Sequence, residues 1–212
     1  TRAEKAERRA SFLARAGALL TESLDYDSIP ARLARLVVGP QATFCSVQLL
    51  EDGRVRRAGF AHVNPEKERE LAKLFGRYPL HIESALPGAM AIRTGAAQIA
   101  NDLSEERLRR MCEDDACARR FRAWDVRNIL AVPIIARGRT LGSIALMRGP
   151  PPFDESEIEL AQDVAYRSAL ALDNARLHRE TQEAVRLRDE FLAVASHELN
   201  TPMTSLVLTL QA

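Results

Sequence analysis

The chain of 212 residues predicts an α+β fold: an antiparallel sheet flanked by helices, followed by one long helix of coiled-coil type. Two pairs of alternating apolar segments are each joined by a short turn, the signature of β-hairpins. The segments around them carry apolar residues at three- and four-residue steps, the signature of amphipathic helices. After Asp154 neither Gly nor Pro occurs until Pro202. That gap allows a helix of roughly 40 residues, against a usual mean of about 11–12.

Taken in order, Thr1 to Thr21 is rich in Ala, Arg and Glu, and Phe12, Leu13, Ala16, Leu19 and Leu20 fall at helical steps. Asp25-Tyr26-Asp27-Ser28 interrupts this helix. Either Asp27 or Ser28 is placed to cap a second helix, with Pro30 in its first turn and Ile29, Leu33, Leu36 and Val37 on its apolar face. Phe44 to Leu50 alternates as a strand, Glu51-Asp52-Gly53 signals a hairpin turn, and Val55 to Ala61 returns. A charged helix opens at Pro65 and runs to about Phe75. Gly76 to Trp124 is the least regular stretch, interrupted by a short strand at Gln98-Ile99-Ala100 and a helix rich in Glu and Arg.

The clearest β signal is Asn128 to Ile135, turned by Arg137-Gly138-Arg139 and returned from Thr140 to Met147. Pro133 has no N–H for a ladder, which predicts an edge or a bulge there. Gly149-Pro150-Pro151-Pro152 is a stiff connector, and Phe153-Asp154-Glu155-Ser156 starts the long helix. Toward its end Ala184, Leu187, Phe191 and Val194 keep the spacing of a two-stranded coil seam. Farther back Leu170 and Leu177 keep the seven-residue step, while Asp173 and Glu180 fill the alternate sites. The competing expectation is that Leu160 to Leu172 pack on the sheet and the rest frays.

Composition narrows the function classes. Lys plus Arg number 30 and Asp plus Glu 29, a formal charge of +1, which supplies no bulk attraction to nucleic acid or an anionic membrane. Apolar residues at 46 % and charged residues at 28 % suffice for a buried core. The odd count of three cysteines (Cys45, Cys112, Cys117) and the lack of a signal-peptide-like leader point to a reduced, cytoplasmic setting. The longest apolar stretch, Ile129 to Ala136, is broken by Pro133 and too short to cross a bilayer. Thr1 opens the chain, and Gln211-Ala212 closes it inside an apolar, helix-compatible run. The chain therefore reads as a piece of a larger protein.

The segment from Asp189 to Leu206 carries the chemistry. His197 and Thr201, four apart, share a helix face. Pro202 removes the N–H that would bond the Glu198 carbonyl, so the helix should bend there. A lone His beside a Glu is ordinarily a solvated surface pair. A zinc motif would need a second His at the fifth position, which is Thr201, so no metal site is expected. The string Phe191…Ser196-His197-Glu198-Leu199-Asn200-Thr201-Pro202-Met203 resembles the phosphoacceptor box of bacterial sensor histidine kinases of two-component systems. Asn200 stands where that box usually has Arg or Lys. The resemblance implies that His197 accepts the γ-phosphate of ATP, that Glu198 takes its proton or orients the ring, and that Thr201 positions water in a phosphatase reaction. It also implies a homodimer and a response regulator as partners. ATP would sit on a separate domain; no Gly-x-Gly occurs in the chain, and the second helix of the dimerisation hairpin is not seen. The chain alone is thus expected to be inactive as a kinase.

The preceding residues resemble a GAF domain. The carrying fragments are Pro87 to Gly95, Asn101-Asp102, Ile129 to Ile134, Gly138, Leu141-Gly142-Ser143-Ile144-Ala145-Leu146 and Phe153-Asp154. A PAS-like sensor is the alternative fold, and Leu-Gly-x-Ile-x-Leu followed by the long helix counts against it. The resemblance implies a sheet with helices on one side and a ligand pocket under a variable lid. The implied division is a signalling helix at 1–24, a GAF-like domain over 10–178, a connecting helix over 154–194 and the start of the phosphotransfer domain over 189–212.

The GAF ligand itself is not named by the residues. The motif of cyclic-GMP binders is not recognisable, and neither Cys112 nor Cys117 is followed by the His usual at a bilin attachment site. His81 and His62 are the haem-ligand candidates, although a loop histidine usually faces solvent. Cys112 and Cys117 form either a metal or redox pair or two free thiols on a helix. His81, Met90 and Trp124 are the candidate pocket residues, with core packing the simpler role for Trp124. Arg109, Arg110, Arg119 and Arg120 are either a solvated helix face or a greeting for an anion. The alternative function is a GAF-like dimerisation module without a ligand, and a stand-alone hydrolase using His197 and Glu198 has no third partner.

Overall fold

The computed structural model describes residues 2–21, 25–112 and 114–210, with side chains for 6–7, 9–20, 25–112 and 114–192. Seven helices and five strands follow one another among these residues. They are α1 (Arg2–Thr21), α2 (Ile29–Val37), β1 (Phe44–Glu51), β2 (Arg54–His62), α3 (Pro65–Arg77), α4 (Pro87–Thr94), β3 (Gln98–Ala100), α5 (Glu105–Met111), α6 (Asp115–Ala123), β4 (Asn128–Ala136), β5 (Arg139–Arg148) and α7 (Glu155–Leu210). The strands form one antiparallel sheet in the order β2-β1-β5-β4-β3.

Both hairpins turn on two residues with positive φ: Asp52 (49°) and Gly53 (75°), then Arg137 (48°) and Gly138 (73°). Such turns match the right-handed twist of the strands they join. Pro133 lies beyond the three residues of β4 that pair with β3, and a register shift follows between Ile134 and Ile135. The proline thus stands at a local edge and next to an irregularity, as its missing N–H requires.

Strand alternation divides the interior into two cores. Cys45, Val47, Leu49, Leu130, Val132, Ile134, Ile144 and Leu146 pack with apolar residues of α1, α2 and α7. Phe44, Ile129, Ala131, Ala145 and Met147 face the other way, against α3 to α6 and Trp124. Because both faces are covered, β4 reads as an almost unbroken apolar run. Gly59 of β2 lies so close to α2 that a Cβ there would stand 2.3 Å from the Pro30 carbonyl carbon.

The cap expected for α2 is not made. Ser28 occupies the cap position in helical conformation with no side-chain cap bond, and its hydroxyl donates to the Asp25 carbonyl at 3.1 Å. The Asp27 carboxylate serves instead as an ion-pair partner of Arg56 at 3.2 Å and Arg179 at 3.7 Å. Side-chain caps appear elsewhere, from Asn64 on α3, Ser104 on α5 and Asp114 on α6. The stretch read as irregular holds three short helices, because Pro87 starts α4 and the cap at Asp114 splits the Glu- and Arg-rich segment into α5 and α6.

A reciprocal cap opens α7: Asp154 Oδ1 accepts from the Glu157 N–H, and Glu157 Oε2 accepts from the Asp154 N–H, both at 2.9 Å. Arg148 grips Glu157 with two bonds of 2.7 Å and lies 4.2 Å above the Phe153 ring. Leu160, Ala161, Val164, Ala165, Ala169, Leu172 and Ala175 are buried against the sheet side. The helix continues past them, and Val185, Leu187, Phe191 and Leu192 are exposed. Packing on the sheet and a long outgoing helix therefore coexist. Arg9 of α1 pairs with Glu159 and Asp163 of α7, each at 2.8 Å.

A candidate ligand pocket between the sheet and the lid helices

The period of two along β1 puts Phe44, Ser46 and Gln48 on the face opposite Cys45, Val47 and Leu49. Antiparallel pairing then sets Met147, Ala145 and Ser143 beside them, in register with Phe44, Ser46 and Gln48. The lid supplies Phe75 of α3, Leu80, the start of α4 at Leu86-Pro87-Gly88, and Phe121 of α6. Together with Arg57, Ile129, Ala145 and Met147 these residues border a small, partly open cavity of about 30 Å³.

Its floor holds a buried polar group of three. Ser46, Gln48 and Ser143 are 2 %, 3 % and 0 % exposed. Gln48 Nε2 donates to Ser46 Oγ at 2.6 Å, and Ser143 Oγ lies 2.9 Å from both Gln48 Oε1 and the Gly88 carbonyl. Buried polar atoms are costly without partners, and here they satisfy one another while tying α4 to β1 and β5. A Cβ on Gly88 would come within 3.3 Å of Gln48 Oε1, so glycine lets the first turn of α4 settle directly onto this floor.

Arg57 closes the pocket on the β2 side. Its guanidinium lies 4.1 Å from the centroid of the Phe75 ring and donates to the Tyr78 carbonyl. It also borders an open groove with Glu51, Asp52, Arg54, Arg56 and Pro79, and a smaller cavity with Tyr78, Cys112 and Cys117. One positive charge thus stands where the inner cavity, the outer groove and the space beneath α6 meet. Tyr78 Oη donates to Asp114 Oδ2 at 2.6 Å, joining the end of α3 to the start of α6. That hydrogen bond, with the Cys117 N–H, holds the Asp114 carboxyl below its usual range.

The histidines and thiols have structural surroundings. His62 is buried, its ring stacked 6.3 Å from Phe44, and its Nδ1 accepts from the Asn64 N–H at 2.8 Å. Burial lowers its pKa, with the charge of Lys67 adding to the effect. Complete burial pushes the Cys45 thiol far up. Cys112 and Cys117 are not joined in a disulfide, and no group of three or more His, Cys, Asp or Glu able to hold a metal occurs among the described residues.

Of the candidate pocket residues, none lines this cavity. His81 is exposed, its carbonyl accepting from the Ser84 N–H. Met90 is half-buried on α4, its carbonyl accepting from Thr94. Trp124 belongs to the lid-side core, edge-on to Phe121 at 6.2 Å with Nε1 donating to Glu70 at 3.3 Å. Arg109 and Arg110 pair with Glu105 and Glu106 on an exposed helix face, and Arg119 and Arg120 are exposed as well. His197, Glu198 and Thr201 lie on the backbone of α7, and their side chains fall outside the described residues. The residues that do form the pocket had one sequence signal: Ser46 and Gln48, two polar side chains at alternate positions of a strand whose other face is apolar.

A five-stranded antiparallel sheet with an outgoing helix on one face and a lid over a small cavity on the other defines the α+β fold of this chain. Residues 26–173 match the GAF domain family, and the chain belongs to it. Among solved structures, the fold is shared with the GAF domain of an Acinetobacter phosphoenolpyruvate-protein phosphotransferase (TM-score 0.62, 14 % identity, covering 80 % of this chain and 95 % of that one). It is shared also with free methionine-R-sulfoxide reductase from Neisseria meningitidis in complex with its substrate (TM-score 0.59, 15 % identity, 82 % and 93 %). The circadian input-output histidine kinase CikA of Thermosynechococcus vestitus is 26 % identical over a match covering 43 % of this chain and 16 % of that protein. No helix among the described residues is long and apolar enough to cross a membrane.

Proposed function

We propose that this chain is the ligand-sensing region of a cytoplasmic two-component histidine kinase, and that α7 carries the state of the pocket to the phosphoacceptor His197. The observation that carries the reading is continuity: one helix leaves the GAF domain at Ala175 and reaches the Ser196-His197-Glu198 string without a break. The similarity to CikA over part of the chain supports the same class. The small apolar space under the lid, bordered by Phe44, Arg57 and Phe75, is where such a sensor would take a ligand.

In this reading two copies pair along the exposed apolar positions of α7 beyond the sheet, and ligand occupancy biases one of two arrangements of the paired helices. An imidazole nitrogen of His197 attacks the γ-phosphorus of ATP held on a separate domain. The new N–P bond forms as the bond to the bridging oxygen of the departing ADP breaks, and Glu198 takes the ring proton. The phosphoryl group then passes to a response regulator, and Thr201 positions water for the reverse, phosphatase, activity. The resident ligand is a small molecule, and the pocket residues that meet it are Phe44, Arg57, Phe75, Phe121 and Met147.

The test is incubation of the full-length parent protein with γ-labelled ATP. Acid-labile label on His197, absent in His197→Gln, is the expected result. Label elsewhere, or undiminished label in the variant, overturns the assignment.

A further inference from the structure

We infer that the outward face of α7 on the GAF domain itself, from Tyr166 through Leu170 to Leu177, is a contact surface for a second copy of this chain, packed parallel and in register. The inference rests on the dimer reading above and extends it from the outgoing helix back onto the domain. Tyr166 is 65 % exposed and Leu170 48 %, although Val164, Ala165, Ala169 and Leu172 of the same turns are buried against the sheet side. At about 3.6 residues per turn, Tyr166, Leu170 and Leu177 fall on one line of the helix, on the side away from those buried residues. Single exposed apolar residues are ordinary, whereas a row of them on one face marks an interaction surface. The row also continues into the outgoing helix, because Leu170, Leu177, Ala184 and Phe191 keep a seven-residue step.

Two acidic residues fill the alternate steps of that pattern, and the structure engages both elsewhere. Asp173 turns into the domain, its side chain 6 % exposed and held by Arg137 at 2.7 Å. Glu180 is met on its own helix by Arg176 at 2.8 Å. The neighbouring helix α1 runs beside α7, with Arg9 on Glu159 and Asp163 and Gly17 next to Arg167. Its exposed side chains include only small ones at Ala10, Ala14 and Ala18, which leave room for a second helix to approach. Charge selects the partner and its direction. With Ala184 and Phe191 as core positions, Glu183 and Arg188 flank the seam on opposite sides, and both are exposed. A parallel, in-register copy sets Glu183 of one protomer against the partner's Arg188, twice by symmetry. A partner of one charge sign would satisfy only one of these two residues; a second copy satisfies both.

The test is sedimentation equilibrium of the 212-residue chain. The wild type should be a dimer. Tyr166→Glu combined with Leu170→Glu should weaken its association at least about tenfold, the order expected when buried apolar side chains are lost from an interface. If that pair alters the far-ultraviolet circular dichroism, Leu170→Ser alone carries the comparison. Glu183→Arg and Arg188→Glu should each weaken association by about three- to tenfold, since each sets like charges against each other at two symmetric places. Both changes in one chain should restore it, because the pair is then only exchanged. Association unchanged by the Tyr166 and Leu170 substitutions overturns the contact on the domain and leaves pairing along the outgoing helix standing. A combined exchange that associates no more tightly than the single variants overturns the parallel register. A wild-type monomer at every concentration overturns this inference together with the dimer reading.

Discussion

Asp173 of α7 and Arg137 of the β4–β5 turn meet at 2.7 Å, with Arg176 on the other carboxylate oxygen at 3.0 Å. The Asp173 side chain is 6 % exposed, and it sits within one turn of the last residue that α7 buries against the domain, Ala175. The pair therefore clamps the helix to a hairpin whose other end, at Ser143 and Ala145, borders the pocket. A seam-like sequence position has become the point where the helix leaves its domain.

Asp173→Asn should cost about 1–3 kcal/mol, the usual penalty for removing one partner of a buried charged hydrogen bond. Urea unfolding of the chain measures it. The hydrogen bond from Arg176, and then the charge of Arg137, hold the Asp173 carboxyl below the usual carboxylate range. Its contribution is thus full above the unfolded value of about 3.9 and is lost as pH falls through the folded value. The stability gap between the wild type and Asp173→Asn should shrink in strong acid. A gap that stays constant down to pH 2 would contradict this.

His62 titrates with the same sign for a different reason. Burial, then Lys67, favour its neutral form, and Nδ1 accepts a bond from the Asn64 N–H that the imidazolium would break. The unfolded chain binds that proton more readily, so stability is full above about pH 6.5 and declines as pH falls through the lower folded value. The melting temperature should drop between pH 7.5 and pH 5, and the drop should be smaller in His62→Leu.

Two glycines should respond oppositely to the same change. At Gly59 a Cβ would stand 2.3–2.5 Å from backbone atoms of Pro30 and Ala31. Gly59→Ala is therefore expected to destabilise by about 1–3 kcal/mol through overpacking. Gly76, in α3, meets nothing within 4 Å, and Gly76→Ala should stabilise by about 0.5–1 kcal/mol. Chemical denaturation of the two variants side by side decides both.

The exposed apolar positions near the end of α7 are the basis of the proposed dimer. Leu187 and Phe191 are 55 % and 71 % exposed, and charges there would face each other across a paired helix. Light scattering should find the wild-type chain dimeric and Leu187→Lys with Phe191→Glu monomeric, with unchanged melting of the GAF domain. A wild-type monomer at all concentrations would refute the pairing.

Much of this architecture is written in local patterns. The alternation of Phe44 to Leu50, the turn at Asp52-Gly53 and the Gly- and Pro-free run after Asp154 are properties of neighbouring residues, and each maps onto an element of the fold. The misreadings share a cause as well. Asp27 has the chemistry of a cap, yet it pairs with Arg56 and Arg179, residues far away in the chain. Of the three lid helices, the Glu- and Arg-rich pair reads as one helix in the sequence, and α4 is too short for periodicity to register; their starts depend on Pro87, Ser104 and Asp114.

The sequence by itself determined the fold class, the hairpins, the long helix and the string around His197, because these rest on side-chain periodicity and on contiguous residues. Only the tertiary structure decided where the pocket lies. Gln48, Ser143 and Gly88 come together through strand register and the settling of α4, and Arg57 faces them across a lid closed by Phe75 and Phe121. No local pattern encodes that meeting. It follows from packing two layers against opposite faces of one sheet, which brings distant residues to a common wall while leaving His81, Met90 and Trp124 outside it.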